Sequence, residues 1–340
     1  MSQPAGNAVI AQAGGPTVVI NSSLAGVVEA IQQTELAGSI YGARHAVRGM
    51  VAGDFVDLTD LSGAKLELIA GTPGATLGSS RDKPDAEYCQ KIFQQLAEKD
   101  IRWLFYIGGN DSSETCRIIS EVAIDSNYDL RTFHVPKTID NDLPLPGGQP
   151  TFGFETVRQV GTEAVLNLME EARTTNRWYF IVVMGREAGH LALGIAKAAG
   201  ATLALIPEEF PEGGPTLDQV SKILEGAILK RRVMGHEHGV AVIAEGIAEK
   251  LSVDELKNLP GVTVEYDSYG HISLNDIPLA IILRRQVQQA FSQRGEEIAI
   301  VRALDKVARE LGATRPQVCI AWVLSHPEVT SVLGGAESPE

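Results

Sequence analysis

This chain has few cysteines, and its basic residues are outnumbered by acidic ones. Its three cysteines, Cys89, Cys116 and Cys319, are odd in number and far apart in 340 residues, so they indicate neither a disulfide framework nor a metal cluster. The 43 acidic against 29 basic residues give a formal charge of −14, which repels nucleic acid and anionic membrane surfaces. These absences argue against nucleic-acid and membrane partners and favour a reducing compartment.

A leader segment and long apolar runs are also missing. The first six residues have neither a basic region nor an apolar stretch, and no apolar run approaches the length that spans a bilayer. We therefore expect a cytoplasmic protein. With 340 residues and 44% hydrophobic content, the chain is long enough for two ordinary domains with a substantial core.

Glycine-rich or polar turns follow apolar strands at five places. These turns begin at Gly14, Gly108, Lys137, Met184 and Glu245. Repetition of strand, turn and helix predicts an α/β protein with two doubly wound, Rossmann-like halves. The stretch richest in proline and glycine, residues 143–150, is the candidate boundary between them. We expect domains at residues 1–143 and 144–301.

The stretch HVPKTIDND, residues 134–142, places a cation and two carboxylates within six residues. Pro136 has no N–H for a sheet, so a strand should end there and Lys137 should begin a loop. Ligands bind at such loops in open α/β sheets. For a lone motif of this kind, a solvated turn is the ordinary alternative to phosphate chemistry, and Asp142 in particular suits a turn.

Three further segments carry weaker signals. Gly14 and Gly15 open a helix and suit an anion cradle, although glycine pairs in such turns also serve packing. The broken stretch 71–81 ends on Arg81, whose guanidinium can pair with phosphate, and it also reads as a flexible surface loop. Asp111 is either the N-cap of the next helix or a carboxylate that occupies the place of a bound phosphate.

Taken together, six motifs resemble the 6-phosphofructokinase family in identity and in order. They are GG (14–15), LGSSR (77–81), GGNDS (108–112), PKTIDND (136–142), MGR (184–186) and EG (245–246). The resemblance runs from about residue 8 to about residue 301. It implies the two-domain α/β fold of that family, in agreement with the strand and turn pattern.

The resemblance is to the pyrophosphate-dependent branch of the family. The branch that uses ATP has glycine at the positions of Asp111 and Lys137, whereas the pyrophosphate-dependent branch has these two residues. The implied activity is that of a diphosphate–fructose-6-phosphate 1-phosphotransferase, which moves a phosphoryl group reversibly between pyrophosphate and the 1-hydroxyl of fructose 6-phosphate, with Mg²⁺. A carboxylate at the helix start would exclude a nucleotide α-phosphate, and an ammonium would neutralise the smaller donor.

The resemblance also implies roles for individual residues. Asp140 would accept the proton of the sugar hydroxyl, and Lys137 would steady the transferring phosphoryl group. The donor side would comprise Gly14, Gly15, Arg81 and Ser112, with Asp111 as the excluding carboxylate. Fructose 6-phosphate would be held by Thr138, Met184, Gly185, Arg186 and Glu245.

Two of these positions carry additional implications. Arg177 matches an arginine that reaches a neighbouring subunit's site, so a homodimer or higher homo-oligomer is expected. Asn110 departs from the family's usual aspartate at the metal site. Its amide oxygen can still ligate Mg²⁺ but without charge, and Asp142 is a candidate to compensate.

The resemblance stops near residue 301. Residues 302–340 instead resemble the C-terminal end of an aldo-keto reductase, so the second domain is expected to be truncated and followed by a short foreign tail. Two other functions therefore stay open. One is a catalytically impaired protein that binds phosphate and sugar phosphate. The other is a nicotinamide-dependent oxidoreductase, for which Glu337 stands where a basic side chain would hold the nucleotide phosphate.

Overall fold

The computed structural model describes residues 6–34, 36–211, 214–259, 261–266, 272–314, 317, 318 and 321. The chain divides into two compact units, Met1–Ala280 and Ile281–Glu340. The strands among the described residues are β1 (Asn7–Gln12), β2 (Ile40–Ala43), β3 (Phe55–Asp57), β4 (Ile101–Gly108), β5 (Arg131–Pro136), β6 (Trp178–Val183), β7 (Leu203–Leu205) and β8 (Gly239–Ala244).

Helices alternate with these strands along most of the chain. They are α1 (Ile20–Thr34), α2 (Val47–Ala52), α3 (Gly63–Ala70), α4 (Ala86–Glu98), α5 (Asn110–Asp125), α6 (Phe154–Thr175), α7 (His190–Ala199), α8 (Leu217–Val233), α9 (Gly246–Lys250), α10 (Val253–Lys257) and α11 (Leu279–Leu311). None of the helices in the described part of the chain combines the length and the apolar composition needed to cross a membrane.

The first sheet has five strands in the order β3-β2-β1-β4-β5, and all neighbours are parallel except β2 and β3. Alternate residues of β1 enter different cores. Val9 and Ala11 pack with α2, α4 and α5, whereas Ala8 and Ile10 pack with α1 and α3. Because both faces are covered, the strand is continuously apolar. The doubly wound α/β fold is therefore confirmed for this half.

The second sheet is smaller, with three parallel strands in the order β6-β8-β7. Every residue of the central strand β8 is buried, whereas every residue of β6 is partly exposed. The apolar run of residues 179–183 predicts a buried strand, and that prediction was wrong. The physical reason is that β6 is an edge strand of the described sheet, so it has a hydrogen-bonded neighbour on one side. Helices α6 and α7 supply most of the core on this sheet.

The long helix α11 is continuous across residues 301 and 302, where the sequence places the end of the second domain. The two predicted domain boundaries, after residues 143 and 301, stay predictions. Most of the predicted foreign tail after Leu311 lies outside the described residues.

Candidate active site

The strand ends that precede the predicted site residues lie side by side. In the first sheet Gln12 is opposite Ile107 and Gly108 is opposite Pro136, so the turns after β1, β4 and β5 leave the sheet at one edge. In the second sheet β6 and β8 are paired in register to their last residues, so their turns also leave together. Ligands of open α/β sheets bind at such edges.

These turns line one cleft with a volume of about 280 Å³. The lining residues that the sequence predicted are Gly14, Gly15, Arg81, Asn110, Asp111, Ser112, Lys137, Thr138, Asp140, Met184, Arg186 and Glu245. The lining residues without a role in the prediction are Pro16, Thr17, Gly109, Ile139 and Glu187, together with Asp142, which was only a candidate. Each of them adjoins a predicted residue in the chain or follows one closely, and that proximity is the signal that could have found them.

Two predicted residues do not line the cleft. Gly185 lies behind it, where its N–H donates to Glu245 Oε1 at 3.2 Å. Its φ of 132° is a backbone conformation that L side chains rarely adopt, so glycine is required at this position. Arg177 is exposed at the opposite end of β6. Its position outside the cleft is compatible with action on a neighbouring subunit, which stays a prediction.

Gly14 is held between the strand end and the loop that carries Arg81. Its φ is 72°, in the left-handed region that glycine adopts without strain. The Ser79 hydroxyl donates to Gly14 O at 2.6 Å, and Gly14 N–H donates to Ser80 O at 3.3 Å. Both polar groups of the Gly14 backbone are thus used to attach the 71–81 loop to the turn, so the interpretation of that loop as merely flexible is not needed.

Two buried amide side chains, which the sequence reasoning missed, anchor the same loop. Gln12 and Asn21 are both 0% exposed, and Gln12 Nε2 donates to Asn21 Oδ1 at 2.9 Å. Gln12 Oε1 accepts from Leu77 N at 2.9 Å, and Asn21 Oδ1 accepts from Thr76 N at 2.9 Å. Asn21 Nδ2 donates to Thr72 O at 2.8 Å. Two features of the sequence could have signalled this pair. Gln12 is a polar residue at the end of an apolar strand, and Asn21 is a polar residue in the first turn of the apolar helix that follows.

Lys137 is buried at the floor of the cleft, with only 3% of its surface exposed. Its Nζ donates to Gly15 O at 2.6 Å, which fixes the ammonium beside the glycine turn. Burial lowers the pKa of Lys137 to about 8, with Asp140 opposing this shift and Arg81 adding to it. A cation in this position can accommodate a phosphate oxygen at little cost in reorganisation.

Asp140 faces Lys137 and carries a perturbed carboxyl group. Burial is the main reason that the pKa of Asp140 rises to about 6, and the neighbouring carboxylates of Asp142 and Glu245 add to the rise. Lys137 and Arg186 act in the opposite direction. Oδ1 of Asp140 is buried and has no hydrogen-bond partner among the described residues. The carboxylate is therefore available to a ligand in the cleft.

Asp142 and Asn110 meet beside this carboxylate. Asn110 Nδ2 donates to Asp142 Oδ2 at 2.7 Å, which joins the start of α5 to the loop after β5. Asp142 Oδ1 is buried and, within the described ranges, accepts no hydrogen bond. The amide oxygen of Asn110 and the free carboxylate oxygens of Asp140 and Asp142 thus belong to side chains that line the same cleft.

Asp111 lies in the first turn of α5, where the N-cap is Gly109. The alternative that Asp111 is itself the N-cap was wrong, because the helix begins at Asn110, two residues earlier than an N-cap at Asp111 would place its start. A carboxylate in the first turn interacts favourably with the helix dipole and fills the position at the helix N-terminus where a phosphate would bind. Ser112, the next residue, is buried with 3% exposure.

The opposite wall is formed by the turns after β6 and β8. Burial raises the pKa of Glu245, while the Gly185 N–H and the Arg186 guanidinium oppose that shift. Gly246 N–H donates to Gly185 O at 3.1 Å, so the two turns are joined by backbone as well as by the Glu245 side chain. Met184 is 57% exposed and presents a flexible apolar surface to the cleft.

Comparison with known proteins agrees with this geometry. The family model described as Phosphofructokinase matches residues 7–291. The curated pyrophosphate–fructose 6-phosphate 1-phosphotransferase of Thermotoga maritima is 48% identical over 328 residues, covering 94% of this chain and 76% of the relative. The protein of the same name from Naegleria fowleri is 37% identical over 296 residues, covering 84% of this chain and 66% of the relative.

Among solved structures, the pyrophosphate-dependent phosphofructokinase of Nitrosospira multiformis superposes with a TM-score of 0.66 at 25% identity. The match covers 85% of this chain and 67% of that one. The chain thus spans about two thirds to three quarters of the length of these relatives. The family model covers most of the chain, and the T. maritima relative exceeds 30% identity over nearly all of it. The chain therefore belongs to the phosphofructokinase family.

Proposed function

We propose that the protein transfers a phosphoryl group reversibly between pyrophosphate and the 1-hydroxyl of fructose 6-phosphate. The observation that carries this proposal is the buried Lys137, whose Nζ lies at 2.6 Å from Gly15 O beside Asp140, with Asp111 lining the same cleft. The names of the T. maritima and N. fowleri relatives support it. In this assignment residues 1–143 bind the donor, residues 144–301 bind the sugar phosphate, and residues 302–340 are a foreign tail.

The donor is pyrophosphate rather than ATP because of the charges at the start of α5. Asp111 occupies the helix end that would otherwise attract an α-phosphate, and its negative charge repels a phosphate chain extended towards it. Lys137 provides a point charge for the phosphate that is transferred. Gly14, Gly15, Arg81 and Ser112 complete the donor side, the glycines through backbone groups.

Asp140 is the base in this mechanism. As the 1-hydroxyl oxygen attacks phosphorus, its proton passes to the Asp140 carboxylate and the bond between phosphorus and the leaving phosphate oxygen breaks. A pKa of about 6 leaves the carboxylate mostly ionised at neutral pH and close enough to neutrality for a late proton transfer. Lys137 donates to an oxygen of the transferring group, and most of the remaining catalysis is positioning.

The cleft residues fit a bound Mg²⁺. Five carboxylates and only three cations line the cleft, so two anionic substrates need added positive charge. No group of three or more His, Cys, Asp or Glu residues that could hold a metal occurs in the part of the chain that the structure describes. Mg²⁺ commonly takes one or two carboxylates together with substrate phosphates and water. Asp142 and Asn110 would hold it beside Asp140, and its chemistry would be to neutralise phosphate charge.

Fructose 6-phosphate is assigned to the opposite wall. Thr138, Met184, Gly185, Arg186 and Glu245 hold the sugar, with Glu245 accepting from a sugar hydroxyl. The exposed Arg177 serves the site of a neighbouring subunit, so the active protein is a homodimer or a larger homo-oligomer. We place this activity in the cytoplasm, in keeping with Cys89 and Cys116, which are buried free thiols.

The deciding experiment is an assay of fructose 1,6-bisphosphate formation from fructose 6-phosphate with Mg²⁺ and either pyrophosphate or ATP at equal concentrations. We expect turnover with pyrophosphate, and the reverse reaction with inorganic phosphate. Faster turnover with ATP would overturn the donor assignment. Tight binding of both substrates without turnover would instead support the impaired binding protein, and light scattering on the same sample measures the oligomeric state.

A further inference from the structure

The loop that carries Asp140 and Asp142 is attached to the second sheet by one exposed histidine. His190 is the first residue of α7, and its Nδ1 lies 2.8 Å from Asn141 O. Asn141 separates the two carboxylates in the loop after β5. This hydrogen bond therefore joins the side of the cleft built on the first sheet to the side built on the second, both within the unit Met1–Ala280.

Asn141 has a left-handed backbone conformation. Its φ is 57°, in the region that, besides glycine, mainly asparagine and aspartate adopt. The Asn141 side chain is already in use, because its Oδ1 accepts from Thr151 N at 2.9 Å. The peptide between Asn141 and Asp142 is thus held at its carbonyl by His190, and the side chain of Asn141 is held by Thr151. Rotation of that peptide would redirect Asp142 directly and Asp140 through the shared backbone.

The backbone on both sides of His190 is itself held in place. The N–H of Gly189 donates to Glu208 Oε1 at 2.7 Å, and Leu191 and Ala192 are 1% and 0% exposed. A carbonyl oxygen only accepts, so the imidazole carries a proton on Nδ1 and donates it to Asn141 O. The ring itself is exposed, so its replacement removes the hydrogen bond without opening a cavity in the core.

We propose that His190 is a positioning residue that sets the orientation of Asp140 and Asp142 by holding the Asn141 carbonyl. This inference rests on the proposed function for its effect on catalysis. It does not require His190 to contact either substrate. Its effect on the loop itself is independent of which reaction the cleft performs.

The test compares His190→Ala with His190→Asn, because the asparagine amide nitrogen occupies nearly the place of Nδ1. We expect His190→Ala to lower kcat roughly three- to tenfold, the range for one lost hydrogen bond, with both KM values changed less than about twofold. His190→Asn should restore most of kcat. Lys197→Ala, an exposed change in the last turn of the same helix, should match the unaltered protein.

Amide hydrogen exchange supplies a readout that does not depend on activity. Thr151 N–H, which donates to Asn141 Oδ1, should exchange faster in His190→Ala and at the normal rate in His190→Asn. An alanine variant with unchanged kcat and unchanged Thr151 exchange would overturn the proposal, as would loss of kcat that asparagine does not restore. If the unaltered protein shows no pyrophosphate-dependent turnover, the proposed function fails, while the exchange measurement still decides whether His190 holds the loop.

Discussion

The two walls of the cleft are built differently. The wall that we propose binds the donor, here called the donor wall, follows a five-stranded sheet with cores on both faces, and the buried pair Gln12 and Asn21 fixes its loop that carries Arg81. The wall that we propose binds the sugar, here called the sugar wall, follows a three-stranded sheet whose strand β6 is partly exposed throughout, and its Met184 is 57% exposed. Preorganised N–H and O–H groups favour discrimination between phosphoryl donors of similar charge, whereas a flexible apolar residue adapts to its ligand. Under the proposed function, a rigid surface would decide the choice of phosphoryl donor and a softer surface would enclose the sugar.

The largest expected effect is at Asp140, the proposed general base, which lies between the two walls. Replacing Asp140 with Asn keeps the shape of the side chain and removes its ability to accept a proton. We expect kcat with pyrophosphate to fall on the order of a hundredfold or more, because positioned bases contribute about 10²- to 10⁴-fold. The donor KM should change much less. Glu245→Gln is the matched change on the sugar wall and should raise the KM for fructose 6-phosphate rather than lower kcat. Equal loss of kcat in both variants would contradict this division of roles.

Donor choice on the rigid wall should respond to Asp111→Gly. Removal of this carboxylate from the first turn of α5 exposes the N–H groups of the helix start to a phosphate. We expect the ratio of kcat/KM for ATP to that for pyrophosphate to rise by about tenfold, an energy of roughly 1.4 kcal/mol. Steady-state kinetics with both donors measures it. Glu187→Gln also removes a carboxylate from the cleft lining and should leave the ratio unchanged, so an equal response to both changes would show that only total charge matters.

Strand order and turn chemistry made much of this site predictable from the sequence. The turns at Gly14, Gly108 and Lys137 follow strands of the first sheet, and those at Met184 and Glu245 follow strands of the second. Turns after parallel strands of one sheet share an edge, so the meeting within each group could be predicted from the sequence. The same reasoning could not find contacts between segments far apart in the chain, because these depend on how side chains pack.

The missed contacts illustrate that limit. Gln12 and Asn21 are ordinary amides in the sequence, and only packing against the loop at Thr72 makes them structural. The partial exposure of β6 was missed for a related reason, since an apolar run does not show whether a strand lies at the centre or the edge of a sheet. His190 likewise gains its role from the position of Asn141, 49 residues earlier.

The rigidity of the donor wall should be measurable by Asn21→Leu. The substitution keeps the volume of the side chain but removes its hydrogen bonds to Thr76 N, Thr72 O and the buried Gln12 Nε2, which costs about 1–3 kcal/mol. We expect a lower melting temperature and a higher KM for pyrophosphate, with the KM for fructose 6-phosphate unchanged. Ser221→Ala on α8 is the contrast, because Ser221 is also buried but its Oγ has no partner among the described atoms. It should leave stability unchanged or slightly raised. Similar destabilisation by both changes would remove the distinction between the two halves.

The smallest expected effect is a dependence of stability on pH that belongs to Asp140. The pKa of this carboxyl is raised from 3.8 to about 6, mainly by burial, so the folded protein holds the proton more tightly than the unfolded chain does. The resulting stabilisation is complete below pH 3.8 and is lost as pH rises through about 6. Above that pH the folded protein carries an unfavourable buried charge, which Asp140→Asn avoids. The variant should therefore be more stable than the unaltered protein at pH 7 by on the order of 1–2 kcal/mol, after allowance for residual solvent at the cleft.

Thermal melts of both proteins between pH 5 and 8, in buffer with a metal chelator, would show the difference growing as pH rises through 6. A difference in stability that stays constant across this range would mean that Asp140 does not titrate within it. The ability of Asp140 to bind a ligand would then depend on the position of its unpartnered oxygen rather than on a raised pKa.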